Sequence, residues 1–281
     1  MGAEEAHFAE GPAVRMALAV ATAELRDAGC DTPRLDAELL LAYAMGTTRT
    51  QLHLAPEREL TRAESDRFAE LLRRRRAREP VAYVLRKRAF RYIELRVDAR
   101  VLVPRPESEG LVETGLTLPP GARVVDVGTG SGAIALALKH ERPDLEVLGA
   151  DVSHDALALA RENAHALGLD VTFVHSDLLD GVDGPLDAIL SNPPYVARRD
   201  LGTLQPEVIA EPDVAVFGGH DGFEIVRRLV PAAVQRAPLV AIEVGMGMAQ
   251  TVGGMLREAG AAAIEVQRDL AGIERVVVGR R

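Results

Sequence analysis

Hydrophobic and polar positions change their period along the chain. From residue 12 to residue 78 apolar side chains recur every three to four residues, from Val14 through Leu18 to Leu25 and again at Leu35, Leu39, Leu40 and Tyr43. That is the spacing of one buried helix face. Gly29 and Gly46 stop the first two runs, and Thr32-Pro33 opens the second with proline at the first helical position. A third helix is predicted from Thr61-Arg62-Ala63-Glu64, where hydroxyl and carboxylate can each cap the other residue's backbone N–H, through Phe68 and Leu71-Leu72 to a stop before Pro80. Strand-like alternation is absent before residue 80, so the pattern predicts a small helical bundle.

From Val81 to Val103 apolar residues alternate with basic or polar ones, as in Phe90-Arg91-Tyr92-Ile93-Glu94-Leu95-Arg96-Val97, which predicts one or two half-buried strands. After about Glu107 the pattern becomes helix, strand, helix, strand. Helices are expected near 107–117, 130–140 and 153–167, and strands over 123–127, 146–150, 171–175 and 185–190. Leu239–Val244, a helix from Ala249 to Ala259, then Ala263–Gln267 and Ile273–Val278 add three strands, the last two as a pair. The fold class is therefore α/β: a seven-stranded, mostly parallel sheet with a terminal antiparallel strand, preceded by a helical bundle and a β-hairpin connector. The expected divisions are 1–78, 79–106 and 107–281. A length of 281 residues agrees with more than one domain.

Composition narrows the function classes. With 47% apolar and 27% charged residues the chain is globular, which excludes disorder and collagen. Cys30 is the single cysteine and the seven histidines are scattered, so no disulfide and no metal site is expected and a reducing, cytoplasmic setting fits. The start Met1–Glu5 is acidic where an export leader needs basic residues, and the apolar stretch Ala17–Ala23 stops at Glu24, so no membrane association is expected. The net charge of −9 conceals an asymmetry: residues 1–70 carry −6, residues 71–105 carry +9 and residues 106–281 carry −12. A basic segment separates two acidic ones. Its run Arg73–Arg76 with Arg78 either complements a helix dipole in solvent, or contacts an acidic protein surface or RNA.

Two motifs carry candidate chemistry. Asp126-Val127-Gly128-Thr129-Gly130-Ser131-Gly132 follows an apolar strand and precedes the helix Ala133–Lys139, so glycines bring backbone N–H groups close to a nucleotide-like ligand. Asp151 ends the next strand, at the offset where a carboxylate can bind ribose hydroxyls. Gly128, Gly130 and Ala133 also satisfy a looser dinucleotide fingerprint, so the glycines leave a nicotinamide cofactor open. The second motif, Asn192-Pro193-Pro194-Tyr195, follows the apolar strand Leu186–Leu190. Two prolines remove two N–H donors and leave carbonyls free to accept, Asn192 adds a side-chain carbonyl, and Tyr195 adds an aromatic face. Together they form a cradle for a planar –NH2 group.

DVGTGSG, Asp151 and NPPY resemble the S-adenosylmethionine-dependent methyltransferases that act on amino groups of adenine, cytosine or glutamine. The stretches Arg34–Leu41, Pro80–Tyr83 with Phe90, and Val101–Glu109 resemble more closely the HemK/PrmC family, the glutamine methyltransferases of peptide chain release factors. Glu211-Pro212, Gly218-Gly219, Asp221-Gly222, Glu243-Val244-Gly245 and Asp269–Gly272 extend the resemblance over nearly the whole chain. Departures are Arg86 and Tyr92 in place of glycines, Ser108 in place of threonine, and a shifted Gln250.

The resemblance implies a Rossmann-like methyltransferase sheet. It implies transfer of a methyl group from S-adenosyl-L-methionine, leaving S-adenosyl-L-homocysteine, to the glutamine amide of a Gly-Gly-Gln motif in class 1 release factors, in translation termination. It implies Asn192, Pro193 and Tyr195 as catalytic residues, with Pro194 joining them in substrate binding. Gly128, Thr129, Gly130, Ser131, Gly132, Asp151, Asp177 and Asn192 are implied for the cofactor, Asp177 at the adenine edge. The helical domain would recognise the substrate protein and the enzyme would act as a monomer. A ribosomal-protein glutamine or a nucleic-acid adenine is the alternative target, although the −12 charge of residues 106–281 argues against direct nucleic-acid binding.

Overall fold

The computed structural model describes residues 11–281, so the acidic start Met1–Glu5 lies outside the described residues. The chain forms two compact units divided between Arg86 and Lys87. The first is helical: α1 (Val14–Asp27), α2 (Pro33–Ala44), α3 (Arg49–Leu54), α4 (Arg62–Arg76) and α5 (Val81–Leu85). Leu18, Leu25, Leu40, Leu41, Leu52 and Phe68 meet in its core. The capping box at α4 forms as its sequence requires: Glu64 N–H donates to Thr61 Oγ1 at 3.3 Å and Thr61 N–H to the Glu64 carboxylate at 2.8 Å.

Two helices in this unit have no counterpart in the periodicity. The six-residue α3 is too short to show a period and is started by a reciprocal cap between Thr48 and Gln51. At Val81–Leu85 the structure has a helix where a strand was expected, because a five-residue apolar run fits either period and Pro80 favours a helix start. Arg86 ends α5 in the left-handed region at φ 55°, a conformation glycine adopts at less cost.

The basic run is largely neutralised within its own unit. Arg73 pairs with Glu70 at 2.6 Å, Arg74 with Glu79 at 2.5 Å and Arg76 with Glu24 at 3.1 Å. Arg75 reaches inward to Asp36 at 2.7 Å, and both side chains are almost wholly buried. That buried pair joins α4 to α2.

The second unit begins with a hairpin, β1 (Arg88–Phe90) and β2 (Ile93–Leu95), whose turn places Arg91 rather than Tyr92 at positive φ. It continues through α6 (Glu109–Leu116), β3 (Arg123–Val127), α7 (Ala133–Glu141), β4 (Glu146–Asp151), α8 (His154–Leu167), β5 (Thr172–His175) and β6 (Ala188–Ser191). Then follow the short α9 (Pro206–Ile209) and α10 (Asp213–Val216), α11 (Glu224–Arg236), β7 (Leu239–Glu243), α12 (Ala249–Glu258), β8 (Ala263–Arg268) and β9 (Glu274–Arg280). β6 starts two residues later and ends one residue later than its apolar run suggests.

The seven strands run in the order β5-β4-β3-β6-β7-β9-β8. All neighbours from β5 to β7 are parallel, and β9 lies antiparallel between β7 and β8. The expected α/β sheet with an antiparallel strand, helical bundle and hairpin is thus what the structure has. β7 is buried at every residue, as a central strand covered on both faces should be, yet its last residue is Glu243. Chain order reverses between β3 and β6, which opens a crevice at their carboxyl ends, where open α/β sheets place ligands. Among the described residues no helix is long and apolar enough to cross a membrane.

Candidate active site

A pocket occupies that crevice, and four strand ends supply its walls. From β3 comes the turn Gly128-Thr129-Gly130-Ser131; from β4, Asp151; from β5, Ser176 and Asp177; from β6, Asn192, Pro193 and Pro194. The first residues of α7, Ala133 and Ile134, line it as well, so a helix N-terminus faces the space.

The glycine turn is fixed from below. Thr129 Oγ1 donates to Asp126 at 2.6 Å, and burial pushes the Asp126 carboxyl up to about 7. Asn163 of α8 donates to the Ser131 carbonyl at 2.9 Å. Gly128 and Gly130 have φ of 75° and 56°, and nothing lies within 4 Å of where a Cβ would stand on Gly130, so its glycine serves backbone conformation and open approach. Asp151 accepts from Gly130 N–H at 2.9 Å and Ser153 N–H at 2.8 Å. Burial raises its pKa, while these backbone donors pull it back. Its carboxylate joins the glycine turn to the start of α8.

The Asn-Pro-Pro-Tyr segment is fixed from behind. Ser191 Oγ donates to the Val127 carbonyl at 2.7 Å, tying the end of β6 to the end of β3. Val196 N–H donates to the Val216 carbonyl and Gly218 N–H to the Val196 carbonyl. A Cβ on Gly218 would lie 2.4 Å from the Pro194 oxygen, and one on Gly222 2.4 Å from the Tyr195 oxygen. The Gly218-Gly219 and Asp221-Gly222 motifs therefore allow two backbone segments to touch.

Asn192 itself donates from Nδ2 to Ser108 Oγ at 3.0 Å. Beyond Ser108 lies the Glu243 carboxyl, 1% exposed, with Oε2 buried and unpartnered. Burial pushes Glu243 up to about 7, against the opposing pull of the neighbouring Ser108 hydroxyl. Arg105, on the pocket wall, is held by the buried carboxylate of Glu211 at 2.6 Å.

The description "PrmC N-terminal domain" matches residues 16–85 and "Methyltransferase small domain" matches residues 108–212. The release factor glutamine methyltransferase of Deinococcus radiodurans is 42% identical over 274 residues, spanning 95% of this chain and 98% of its own. That of Rhodospirillum rubrum is 40% identical over 265 residues, spanning 92% of this chain and 82% of its own. The chain belongs to the release factor glutamine methyltransferase family. A solved methyltransferase structure from Pyrococcus furiosus shares the fold at 18% identity, with a TM-score of 0.51 over 66% of this chain and 87% of its own.

In this methyltransferase the pocket brings together Gly128, Thr129, Gly130, Ser131, Asp151, Asp177, Asn192, Pro193 and Pro194. Gly132 and Tyr195 stand outside its lining. A Cβ on Gly132 would meet Leu136 at 2.9 Å, so that glycine serves helix packing. The Tyr195 ring lies against Gly245, and burial with the nearby Glu243 carboxyl pushes its hydroxyl up to about 12. Asp177 lines the pocket with its carboxylate already paired to Arg228 at 2.6 Å. Sequence reasoning missed Ser108, Glu243, Arg105 and Glu211 as site residues. A carboxylate ending the apolar strand Leu239–Glu243 was the available signal for one of them.

Proposed function

We propose that this chain methylates the side-chain amide nitrogen of the glutamine in the Gly-Gly-Gln motif of class 1 release factors, using S-adenosylmethionine. The observation that carries the proposal is Asn192, its Nδ2 committed to Ser108, standing beside the glycine turn at the reversal point of the sheet. Family membership supports the substrate.

The residues present fit the cofactor. Gly130 leaves open space at its Cα, and Asp151 presents a half-buried carboxylate at the end of β4. The turn Gly128–Ser131 would border the methionine part, Asp151 would accept from the ribose hydroxyls, and Asp177 would border the adenine edge while keeping its Arg228 partner. When bound, S-adenosylmethionine supplies an electrophilic methyl group and leaves as S-adenosylhomocysteine.

The protein's own task is to aim and activate a poor nucleophile. An amide nitrogen shares its lone pair with the carbonyl, so it gains nucleophilicity only if the positive charge developing on it is stabilised. Asn192 Oδ1 and the Pro193 carbonyl would accept the two amide hydrogens, and both hydrogen bonds strengthen as those hydrogens become more acidic. The two prolines hold the backbone carbonyls without offering competing donors. Tyr195, neutral at working pH, would give the amide plane an aromatic surface. Fixing two hydrogens on one plane also orients the nitrogen, a contribution of positioning rather than proton transfer. One of those hydrogens is lost to water after transfer.

The test incubates the protein with a class 1 release factor and methyl-labelled S-adenosylmethionine, beside a release factor whose glutamine is alanine. Label is expected on the first and absent from the second. Asn192→Ala should lower the rate by about 10²–10³-fold, as losing one preorganised transition-state partner does. Label on neither release factor would overturn the substrate assignment.

A further inference from the structure

Asn192 can serve the proposed reaction only one way round. Its amide has an oxygen that accepts and a nitrogen that donates, of nearly the same shape. With Oδ1 toward the substrate amide the contact is attractive; with Nδ2 there, two donors face each other. Ser108 alone does not choose between these, because a hydroxyl donates or accepts equally well. The choice has to come from the group behind it.

That group is Glu243. It ends β7, is 1% exposed, and lies beside the Ser108 hydroxyl, which in turn accepts from Asn192 Nδ2 at 3.0 Å. The three residues come from β7, the turn before α6 and the segment after β6, far apart in sequence. A buried carboxylate at this place costs stability, and neither the cofactor turn nor the Asn-Pro-Pro-Tyr backbone requires it.

We propose that Glu243 is a positioning residue: as an acceptor it obliges Ser108 to donate to it, so that Ser108 accepts from Asn192 Nδ2 and Oδ1 is left for the substrate amide. This rests on the proposed function only in making Asn192 the substrate's contact. An outer partner setting the orientation of an inner ligand is the same logic that fixes histidine tautomers at metal sites. Ionised Glu243 has no proton to give, so the direction of both bonds is determined. Protonated Glu243 can donate to Ser108, which frees Ser108 to donate to Asn192 and admits the wrong amide orientation. The other charged or titratable groups around Glu243 are Glu107 and Arg105 ahead of α6, Tyr195 after β6 and Arg275 on β9. Burial holds Glu243 near pH 7, so the switch falls within the working range.

The chain has two asparagines, Asn163 and Asn192, so selective ¹⁵N-asparagine labelling gives two side-chain amide signals. Asn163, bonded to the Arg96 and Ser131 carbonyls, is an internal reference. The Asn192 signal of the wild type is expected to titrate near pH 7 while that of Asn163 stays still, and Glu243→Gln should abolish the titration. In methyl transfer, Glu243→Gln and Ser108→Ala should each lower kcat by about 10–100-fold, the cost of a misplaced reacting group, with KM for the cofactor little changed. The double variant should be no slower than the slower single one, and Ser108→Thr should regain most of what Ser108→Ala loses. The kcat of the wild type should fall as pH drops through 7, and that of Glu243→Gln should not.

An Asn192 signal indifferent to pH and to Glu243→Gln, or losses that multiply in the double variant, would overturn the proposal. If wild-type protein transfers no methyl group to any glutamine, the functional assignment fails, while the amide signal still decides whether Glu243 orients Asn192.

Discussion

Replacing Gly218 with alanine would put a methyl group into space that backbone already fills. The new Cβ would stand 2.4 Å from the Pro194 oxygen, 2.6 Å from the Gly222 oxygen and 2.9 Å from the Gly222 carbonyl carbon. Gly218 is not at positive φ, so the perturbation is steric and not conformational. Ordinary carbon contacts lie near 3.5 Å, so the Pro194 carbonyl must retreat by about 1 Å, and no flexible side chain is present to absorb the shift. Overpacking of this kind costs about 1–3 kcal/mol, and in a unit of this size that is a Tm lower by about 2–12 °C. Pro194 is next to Pro193, so the displacement reaches the cradle, where a misplacement of about 1 Å costs roughly 10²-fold in rate. Cofactor affinity should change little, because the glycine turn is held by Asp126, Asn163 and Asp151 instead. Differential scanning fluorimetry, cofactor titration and methyl transfer to a release factor measure the three effects. Gly202→Ala, where nothing lies within 4 Å of the new methyl, is the control expected to change none of them. A Gly218→Ala protein with wild-type Tm and rate would refute the claim that backbone contact sets the cradle.

Asp151→Ala should weaken S-adenosylmethionine binding by about 10–100-fold, the worth of a charged hydrogen-bond acceptor, in isothermal titration; an unaltered Kd would remove Asp151 from the cofactor site. Arg75→Ala strips the partner from a buried carboxylate and should cost about 3–5 kcal/mol in urea unfolding, with the loss in the helical unit. For Glu243 the sign follows from a folded pKa raised to about 7 from 4.5: the stability it contributes is fully present below 4.5 and lost as pH rises through 7. Glu243→Gln should therefore gain in Tm over the wild type between pH 5 and 8, and a constant difference across that range would contradict the raised pKa.

How much of this was legible in sequence varies with the length scale of the cause. The α4 start was readable because its two capping residues are three apart, and β3, β4 and β7 because their apolar runs end at sharp polar or glycine signals. Boundaries failed where a signal was short or mixed. The Val81–Leu85 run is too brief to fix a period, and α11 was not assigned, with Pro231 inside it obscuring the pattern. Residues carried to the pocket by their own strand end, such as Asp151 and Asn192, are readable from the strand-end motif. Those brought in by tertiary convergence are not readable: Ser108 and Glu243 lie behind Asn192 because two distant segments meet there, and no spacing encodes that meeting. The charge asymmetry was read correctly as a sum, but Arg73–Arg76 turn out to be occupied by Glu70, Glu79, Asp36 and Glu24, which only packing reveals.

The antiparallel direction of β9 has a practical side. Because it opposes its neighbours, its first residues stand level with the last residues of β7, with Val276 opposite Glu243 and Arg275 close to Glu243 and Tyr195. Its final residues are carried to the other end of the sheet, where Arg280 pairs with Leu239 and Arg281 N–H donates to the Pro238 carbonyl. A fluorophore placed at position 281 is thus held a full strand length from the pocket, on the same rigid sheet, and can report on cofactor or substrate without standing in their way.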